Sequence, residues 1–311
     1  MKIFNSLEEI NNIEPTVVAV GNFDGVHRGH QQIIRRTVKV AEAAGLKSAV
    51  FTFANHTRTL LKNQPAVKNI NYPEDKAAII EEMGIDYLFN IPFTPEIMQM
   101  SPDDFIQKIM IEQFKMEEIY CGFNYRFGHK AAGNPEYLLH KGQEAGFALH
   151  VQNPFMIDDI VVSSTYIRGL IQEGRMEECA KFMGRMYAIG GEVVVGNQLG
   201  RTIGFPTSNI MIDETMASPS NGVYITYCTY NGVRYPSITN VGVKPTVGEY
   251  KKNVETHIFN FDKELYGKQI RVEFIKKTRD ERKFDSVEAL SEQIKNDCIQ
   301  AKAYHREHSK W

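Results

Sequence analysis

Cysteine is scarce and scattered in this sequence: Cys121, Cys179, Cys228 and Cys298 are all there is, and no two form a Cys-x-x-Cys pair. That spacing signals neither a zinc site nor a disulfide framework, and a reducing cytoplasm suits it best. No apolar run is long enough to span a bilayer, and Met1 to Pro15 carries acidic and amide residues where a secretory signal would need an apolar stretch. Excess charge is missing as well. With 36 Lys and Arg against 38 Asp and Glu the formal net charge is -2, which argues against a protein that coats nucleic acid and for small-molecule partners. There is no internal repeat or low-complexity tract, and nothing in the sequence indicates a homo-oligomer.

What is present is an ordinary globular composition, 42% hydrophobic and 24% charged over 311 residues, enough chain for about two cores. Up to about Gly184 strand and helix patterns alternate. Thr16 to Val20, Ser48 to Phe53, Ile85 to Ile91 and Glu118 to Cys121 read as strands. Gln31 to Ala44 closed by Gly45, and Pro73 to Met83 closed by Gly84, read as helices. Ser101 caps another, which has Pro102 in its first turn and runs to about Phe114. Thr165 to Glu173 and Met176 to Met183 are two more. Such alternation predicts an α/β domain over 1–184 with a parallel sheet and ligands beyond the strands' carboxyl ends.

From Tyr187 the texture turns to β-rich runs: Glu192 to Val195, Val223 to Tyr230, Val233 to Val241, Glu255 to Phe261 and Gln269 to Lys277. Asn231-Gly232 predicts a two-residue hairpin turn. A last helix has Asp285 as its expected N-cap, Glu288 three residues on, and Val287, Leu290, Ile294, Cys298 and Ala301 along one face. The economical reading of 185–311 is an all-β antiparallel barrel with this helix packed on it.

The most informative segment is Gly21-Asn22-Phe23-Asp24-Gly25-Val26-His27-Arg28-Gly29-His30, which joins a strand to a helix. A helix start offers free backbone N–H groups and positive dipole, and Gly21, Gly25 and Gly29 let a phosphate approach the backbone, where two imidazoles can bind its oxygens. A tight turn with two surface histidines would read the same if it stood alone. The segment is neither a Gly-Lys-Ser/Thr P-loop nor a Gly-x-Gly-x-x-Gly fingerprint. Two further segments suit a nucleotide site: the Gly122-Phe123-Asn124-Tyr125-Arg126-Phe127-Gly128 loop, and Ser163-Ser164-Thr165-Tyr166-Ile167-Arg168 at a helix start. In the second domain, Gly196 to Asn209 clusters Gly196, Gly200, Arg201 and Gly204 ahead of Phe205-Pro206-Thr207-Ser208-Asn209. Thr207 and Asn209 stand two apart on a strand, so they share a face, and neutral oxygens beside a triphosphate suit Mg²⁺.

The histidine turn resembles the nucleotidylyltransferase signature, and Gly-Asn-Phe-Asp-Gly-Val-His resembles the bacterial FAD synthetases in particular. The Gly122–Gly128 loop and Ser163–Arg168 match the same family. Gly-Phe-Pro-Thr-Ser-Asn at 204–209, Asn221 to Tyr224, Asn240 to Gly242, Val254 to His257 and Leu265 to Lys268 are similar to riboflavin kinases. The resemblance therefore implies a bifunctional riboflavin kinase and FMN adenylyltransferase, with a Rossmann-like nucleotidylyltransferase domain ahead of a six-stranded barrel. It implies ATP as co-substrate, riboflavin, FMN and FAD as substrates and products, and Mg²⁺.

By the resemblance, His27, His30 and Arg168 serve the phosphates of the adenylyl transfer, and Gly21, Phe23, Gly29, Ser164 and Thr165 bind ATP. Asn124, Arg126 and His56 position the flavin. In the kinase, Glu255 is the base for the ribityl hydroxyl, Gly196, Gly200, Arg201, Gly204, Thr207 and Asn209 bind ATP, and Thr207 and Asn209 hold the metal. The clearest departure is Thr52-Phe53-Ala54-Asn55-His56-Thr57, where the family usually has Thr-Phe-Asp-Pro-His-Pro; Asn124-Tyr125 for Asp-Phe, Ser208 for alanine and Lys244 for arginine are milder ones. Loss of two residues of fixed φ predicts a looser loop, with weaker FMN placement or a changed substrate preference. Alternatives are an enzyme with one active module, or a flavin or nucleotide sensor without turnover. A nucleic-acid-binding barrel is disfavoured by the charge balance.

Overall fold

The computed structural model describes residues 1–55, 67–196, 199–246 and 249–308. The chain divides into two compact units, Met1–Ser164 and Thr165–Trp311.

The first unit is built on a six-stranded, wholly parallel sheet from β1 (Lys2–Phe4), β2 (Thr16–Val20), β3 (Lys47–Phe53), β4 (Tyr87–Ile91), β5 (Met116–Gly122) and β6 (Ala148–Gln152), in the order β1-β4-β3-β2-β5-β6. Every residue of β2 is buried, because helices cover both faces. On one face Val18, Val20, Ala49, Phe51 and Phe89 pack with Phe105, Ile109 and Phe114. On the other, Val17, Ala19, Val50 and Leu88 meet Ile33, Ile34 and Ala41 of α1 (Arg28–Ala44) and Ile80 of α2 (Pro73–Glu82). Gly45 ends α1 in the left-handed conformation the sequence led one to expect, with φ 70°.

The helix expected after Ser101 is present: α3 (Pro95–Gln99) precedes it, and the Ser101 hydroxyl accepts from the Asp104 N–H at 3.0 Å to cap α4 (Pro102–Asp104). It continues as a π-helix over Phe105–Gln113, which periodicity did not reveal. The sequence reading also passed over β6 and α5 (Pro135–Ala145), the latter capped by Asn134. A small hairpin, β7 (Met156–Ile157) and β8 (Ile160–Val161), closes the unit.

The second unit opens with α6 (Ser164–Glu173), whose first residue belongs to the first unit, and α7 (Met176–Met183). There follow β9 (Tyr187–Glu192), α8 (Leu199–Thr202), β10 (Ser208–Met211), β11 (Gly222–Tyr230), β12 (Val233–Thr246), β13 (Glu249–Ile258) and β14 (Gln269–Arg279). These strands form an antiparallel sheet in the order β10-β13-β12-β11-β14-β9, and a bridge between Val194 and Asn209 joins its two edges into a barrel. The Asn231-Gly232 turn is as expected, with φ 47° and 74° linking Tyr230 to Val233.

The first barrel strand is Tyr187–Glu192 rather than Glu192 to Val195. Gly190 and Gly191 look like breakers, but their pairing with Arg271 and Ile270 of β14 holds them in the sheet, and Gly191 faces Ile210. One side of the strands is buried inside the barrel, from Tyr187 and Ile189 through Tyr224 to Val254 and Phe274. The other side, with Val223, Ile225, Ile238 and Phe259, packs against Cys298 and Ala301 of α9 (Val287–Glu307). Ser286, not Asp285, caps this helix, since its hydroxyl accepts from the Ala289 N–H at 3.1 Å. Asp297, 4% exposed, takes Arg279 through Nε at 3.0 Å and Nη2 at 2.7 Å and ties α9 to the end of β14.

Candidate functional sites

In the first unit β2 lies between β3 and β5, so the chain winds away in opposite directions on its two sides. Such a switch point leaves a crevice beyond the strands' carboxyl ends, and the Gly21 to His30 segment starts there. The turn is held in left-handed backbone at Phe23 (φ 46°), Gly25 (83°) and Val26 (34°). Backbone of this kind is costly outside glycine and persists where surrounding contacts enforce it. Those contacts are visible: the Ile70 N–H donates to Asp24 Oδ1 at 2.8 Å, the Ser164 hydroxyl to the Asp24 carbonyl at 2.8 Å, and Gln31 Nε2 to the Val26 carbonyl at 2.9 Å.

His27 is the N-cap of α1, and its Nδ1 accepts from the His30 N–H at 3.3 Å. The two imidazoles stack with centroids 3.6 Å apart, His27 buried and His30 half-buried with Phe23 against its edge. A Cβ at Gly29 would lie 3.3 Å from the His27 ring, so glycine there leaves the ring its place. The two imidazoles therefore stack at the first turn of α1, the end of a helix whose dipole favours an anion.

The structure brings some of the remaining expected residues here. Cys121 pairs with Val20, so the loop carrying Asn124 and Arg126 leaves the sheet beside Gly21. Both side chains are exposed, and Arg126 Nη1 donates to the Tyr125 carbonyl at 3.0 Å. Ser164 joins the turn directly through Asp24. Thr165 and Arg168 lie on α6 in the second unit. His56 lies outside the described residues.

Two residues the motifs did not single out border the same crevice. Asn55, at the position where the resemblance led one to expect proline, accepts from the Phe93 N–H at 2.7 Å and donates to the Phe93 carbonyl at 3.3 Å. A side-chain amide thus fastens this position as a β-bridge would, so the start of the segment is tethered although proline is absent. Lys76 reaches from α2 into a small cleft lined by Asn22, Asp24, Asn55, Asn69 and Asn71. Its ammonium donates to Thr52 Oγ1 and the Phe53 carbonyl, each at 3.2 Å, and burial pulls its pKa down to about 8 against the opposing pull of Asp24. A lone lysine in a polar, helix-borne position carries no motif.

In the second unit the register of three strands builds a polar row on the barrel's outer side. Asn209 of β10 pairs with Glu255 of β13, which pairs with Asn240 of β12. Asn253, two residues before Glu255 and therefore on the same side, is 1% exposed. Its Nδ2 donates to Glu255 Oε1 at 3.0 Å and to Asn209 Oδ1 at 3.3 Å, and Asn209 Nδ2 donates to Thr207 Oγ1 at 3.4 Å. Thr207, Asn209 and Glu255 are thereby joined through a residue that the sequence reading missed; its i−2 spacing from Glu255 was the available signal.

Beside the row lies a cavity of about 280 Å³ whose lining includes Gly196, Arg201, Thr207, Asn209 and Tyr266. Of the three expected glycines only Gly196 lines it, and the three answer to space as well as to turns. A Cβ at Gly196 would sit 2.6 Å from the Asn209 amide, and one at Gly200 would sit 2.4 Å from the Phe205 carbonyl oxygen, whereas Gly204 has φ 85°. Arg201 pairs with Glu264 at 3.0 Å, both exposed, a contact weak enough for a phosphate to displace. The four cysteines are buried and unbridged, and burial lifts their thiols to about 11 for Cys298 and about 12 for the others, so none is a poised thiolate.

Comparison with known proteins bears on both units. Residues 9–166 match the family model described as FAD synthetase, and 183–305 match the one described as riboflavin kinase. The bifunctional riboflavin kinase/FMN adenylyltransferase of Bacillus subtilis is 34% identical over 93% of this chain and 92% of its own length. That of Escherichia coli K12 is 29% identical over 98% of each. A crystal structure described as a macrolide-efflux protein from Streptococcus pneumoniae has a TM-score of 0.88, at 28% identity over 97% of this chain and 98% of that one. Among the described residues no helix is long and apolar enough to cross a membrane. With both modules present, in order and over nearly its whole length, the chain belongs to the family of bifunctional riboflavin kinase/FMN adenylyltransferases.

Proposed function

We propose that the chain makes FAD from riboflavin in two steps, phosphorylation to FMN by the second module and adenylylation of FMN by the first. What supports this reading is that the His27–His30 turn lies in the segment matching FAD synthetase and the Thr207, Asn209 and Glu255 row in the segment matching riboflavin kinase. We place the functional boundary at 184/185, so that the Ser163–Arg168 segment serves the adenylyl transfer.

In that transfer an FMN phosphate oxygen attacks the α-phosphorus of ATP and pyrophosphate leaves. Such a displacement needs alignment and charge stabilisation more than a protein nucleophile. His27, His30 and Arg168 take the phosphate charge, and Gly21, Phe23, Gly29, Ser164 and Thr165 seat ATP. Asn124, Arg126 and His56 place the flavin.

In the kinase Glu255 accepts the proton of the ribityl 5′-hydroxyl as that oxygen attacks the γ-phosphorus and ADP leaves. The hydrogen bond from Asn253 fixes the carboxylate for this. Gly196, Gly200, Arg201, Gly204, Thr207 and Asn209 form the ATP seat. The oxygens of Thr207 and Asn209 also fit Mg²⁺, a hard cation that would draw its negative charge from the triphosphate and neutralise charge on it. The partners are small molecules, not nucleic acid or membrane, and substrates of this kind together with unbridged cysteines suit a cytoplasmic enzyme.

The test is to incubate the protein with riboflavin, ATP and Mg²⁺ and separate the flavins. Both FMN and FAD are expected. His27→Ala stops FAD formation and spares FMN, while Glu255→Ala stops FMN formation and spares conversion of supplied FMN to FAD. Loss of both steps from either substitution in a folded protein overturns the two-site reading, and absence of both products from the unaltered protein overturns the function.

A further inference from the structure

We propose that Lys76 is a phosphate-binding residue of the adenylyl-transfer site, its ammonium receiving a phosphate group of one of the two nucleotides at the mouth of the cleft beside the His27 turn. This rests on the adenylyl-transfer reading of that site.

Position is the first argument. Lys76 starts on a helix flanking the sheet, yet its ammonium reaches the carboxyl end of β3 at Thr52 and Phe53. Thr52 in turn donates to the Asn22 carbonyl at 3.0 Å, inside the turn that leads to His27. The cation therefore stands in the crevice where a parallel sheet takes its ligands.

Its surroundings supply the second argument. Lysine is among the residues least often buried without a partner. Here it is half-buried, and among the described residues it makes no ion pair; both acceptors of its protons are neutral oxygens at 3.2 Å. Asp24 lies near enough to pull its pKa upward, but burial outweighs that pull, and Asp24 Oδ1 already takes the Ile70 N–H. The positive charge is thus incompletely compensated. Amides of Asn22, Asn55, Asn69 and Asn71 line the same cleft together with the Asp24 carboxylate, which makes it a polar place where the one cation faces one carboxylate that does not pair with it directly. A phosphate oxygen would supply the direct countercharge that the two neutral acceptors do not, and the amides could hydrogen-bond its remaining oxygens. The enclosed part of the cleft is only about 30 Å³, so the phosphate belongs at its mouth and the ammonium reaches outward to it.

The experiment uses the full chain, as wild type, Lys76→Met and Lys76→Arg, with FMN and ATP varied separately in the FAD-forming reaction. Lys76→Met is expected to raise KM for one nucleotide about tenfold or more, as for loss of a charge-assisted hydrogen bond, and to leave the other nearly unchanged. Lys76→Arg recovers part of the loss, and FMN formation from riboflavin stays at the wild-type rate. A shift confined to FMN identifies its phosphate as the ligand; a shift confined to ATP identifies the triphosphate. Unchanged KM values in a folded Lys76→Met protein overturn the proposal. So does a uniform fall in kcat with a lowered melting temperature and no rescue by arginine, the mark of a lysine that only pins β3. If the wild type forms no FAD, the reading of the site fails, and the proposal is then decided by equilibrium binding. Equal affinity of wild type and Lys76→Met for FMN and for ATP overturns it, the second module's sites being common to both proteins.

Discussion

Asn253 offers the sharpest test of the kinase geometry, because both protons of its amide are committed. One goes to Glu255 Oε1 at 3.0 Å and the other to Asn209 Oδ1 at 3.3 Å, from a side chain that solvent barely reaches. Asn253→Ala leaves the carboxylate without that donor and frees the Asn209 side chain to turn from Thr207. Loss of a hydrogen bond to a charged group costs about 1.5–3 kcal/mol, and if Glu255 must be oriented for proton transfer the cost falls on the transition state. The expected fall in kcat/KM for FMN formation is about tenfold to a hundredfold. Asn253→Asp keeps the size but replaces both donors with a second carboxylate beside Glu255, and should be at least as damaging. The assay is steady-state conversion of riboflavin to FMN, with conversion of supplied FMN to FAD as the internal control. A kcat/KM for Asn253→Ala indistinguishable from wild type would refute the orienting role, and an equal loss in both reactions would assign the effect to folding.

Further outcomes follow from other contacts. Asn55→Ala removes both hydrogen bonds to the Phe93 backbone and is expected to lower FAD formation while FMN formation holds; an unaltered KM for FMN would show that the tether does not serve the acceptor. Asp297→Ala strands Arg279 half-buried, and breaking such a pair costs about 3 kcal/mol, to be read as a clear drop in melting temperature. Lys76 has a folded-state pKa of about 8, below that of the unfolded chain, so the cost of burying its ammonium is complete below pH 8 and fades as pH rises from there toward 10.5. The melting temperature of wild type relative to Lys76→Met should therefore improve between pH 8 and pH 10, and a constant difference would contradict the burial of a charged ammonium.

Several features of the fold could be read locally because one or two residues dictate the backbone. Asn231-Gly232 takes positive φ at both positions of a hairpin turn, Gly45 closes α1, and Ser101 caps the helix that follows it. Errors arose where neighbours in space overrode local preference. Two consecutive glycines lie within β9 because β14 pairs with them, and Ser286 displaced Asp285 as the cap of α9 by one residue. At Asn55 the side-chain amide supplies two hydrogen bonds that the sequence does not announce, while His56 and Thr57 of that segment lie outside the described residues.

By itself the sequence determined the family, the order of the two modules and the residue types at each phosphate-handling segment, since motifs of this kind are runs of neighbours whose chemistry survives without coordinates. Only the tertiary structure decided which residues stand together: the stacking of His27 on His30, the placing of Lys76 at the end of β3, and the joining of Thr207, Asn209 and Glu255 through Asn253. The reason is physical. Strand register and helix packing set distances between residues that lie far apart in the chain, and hydrogen bonds act only over those distances.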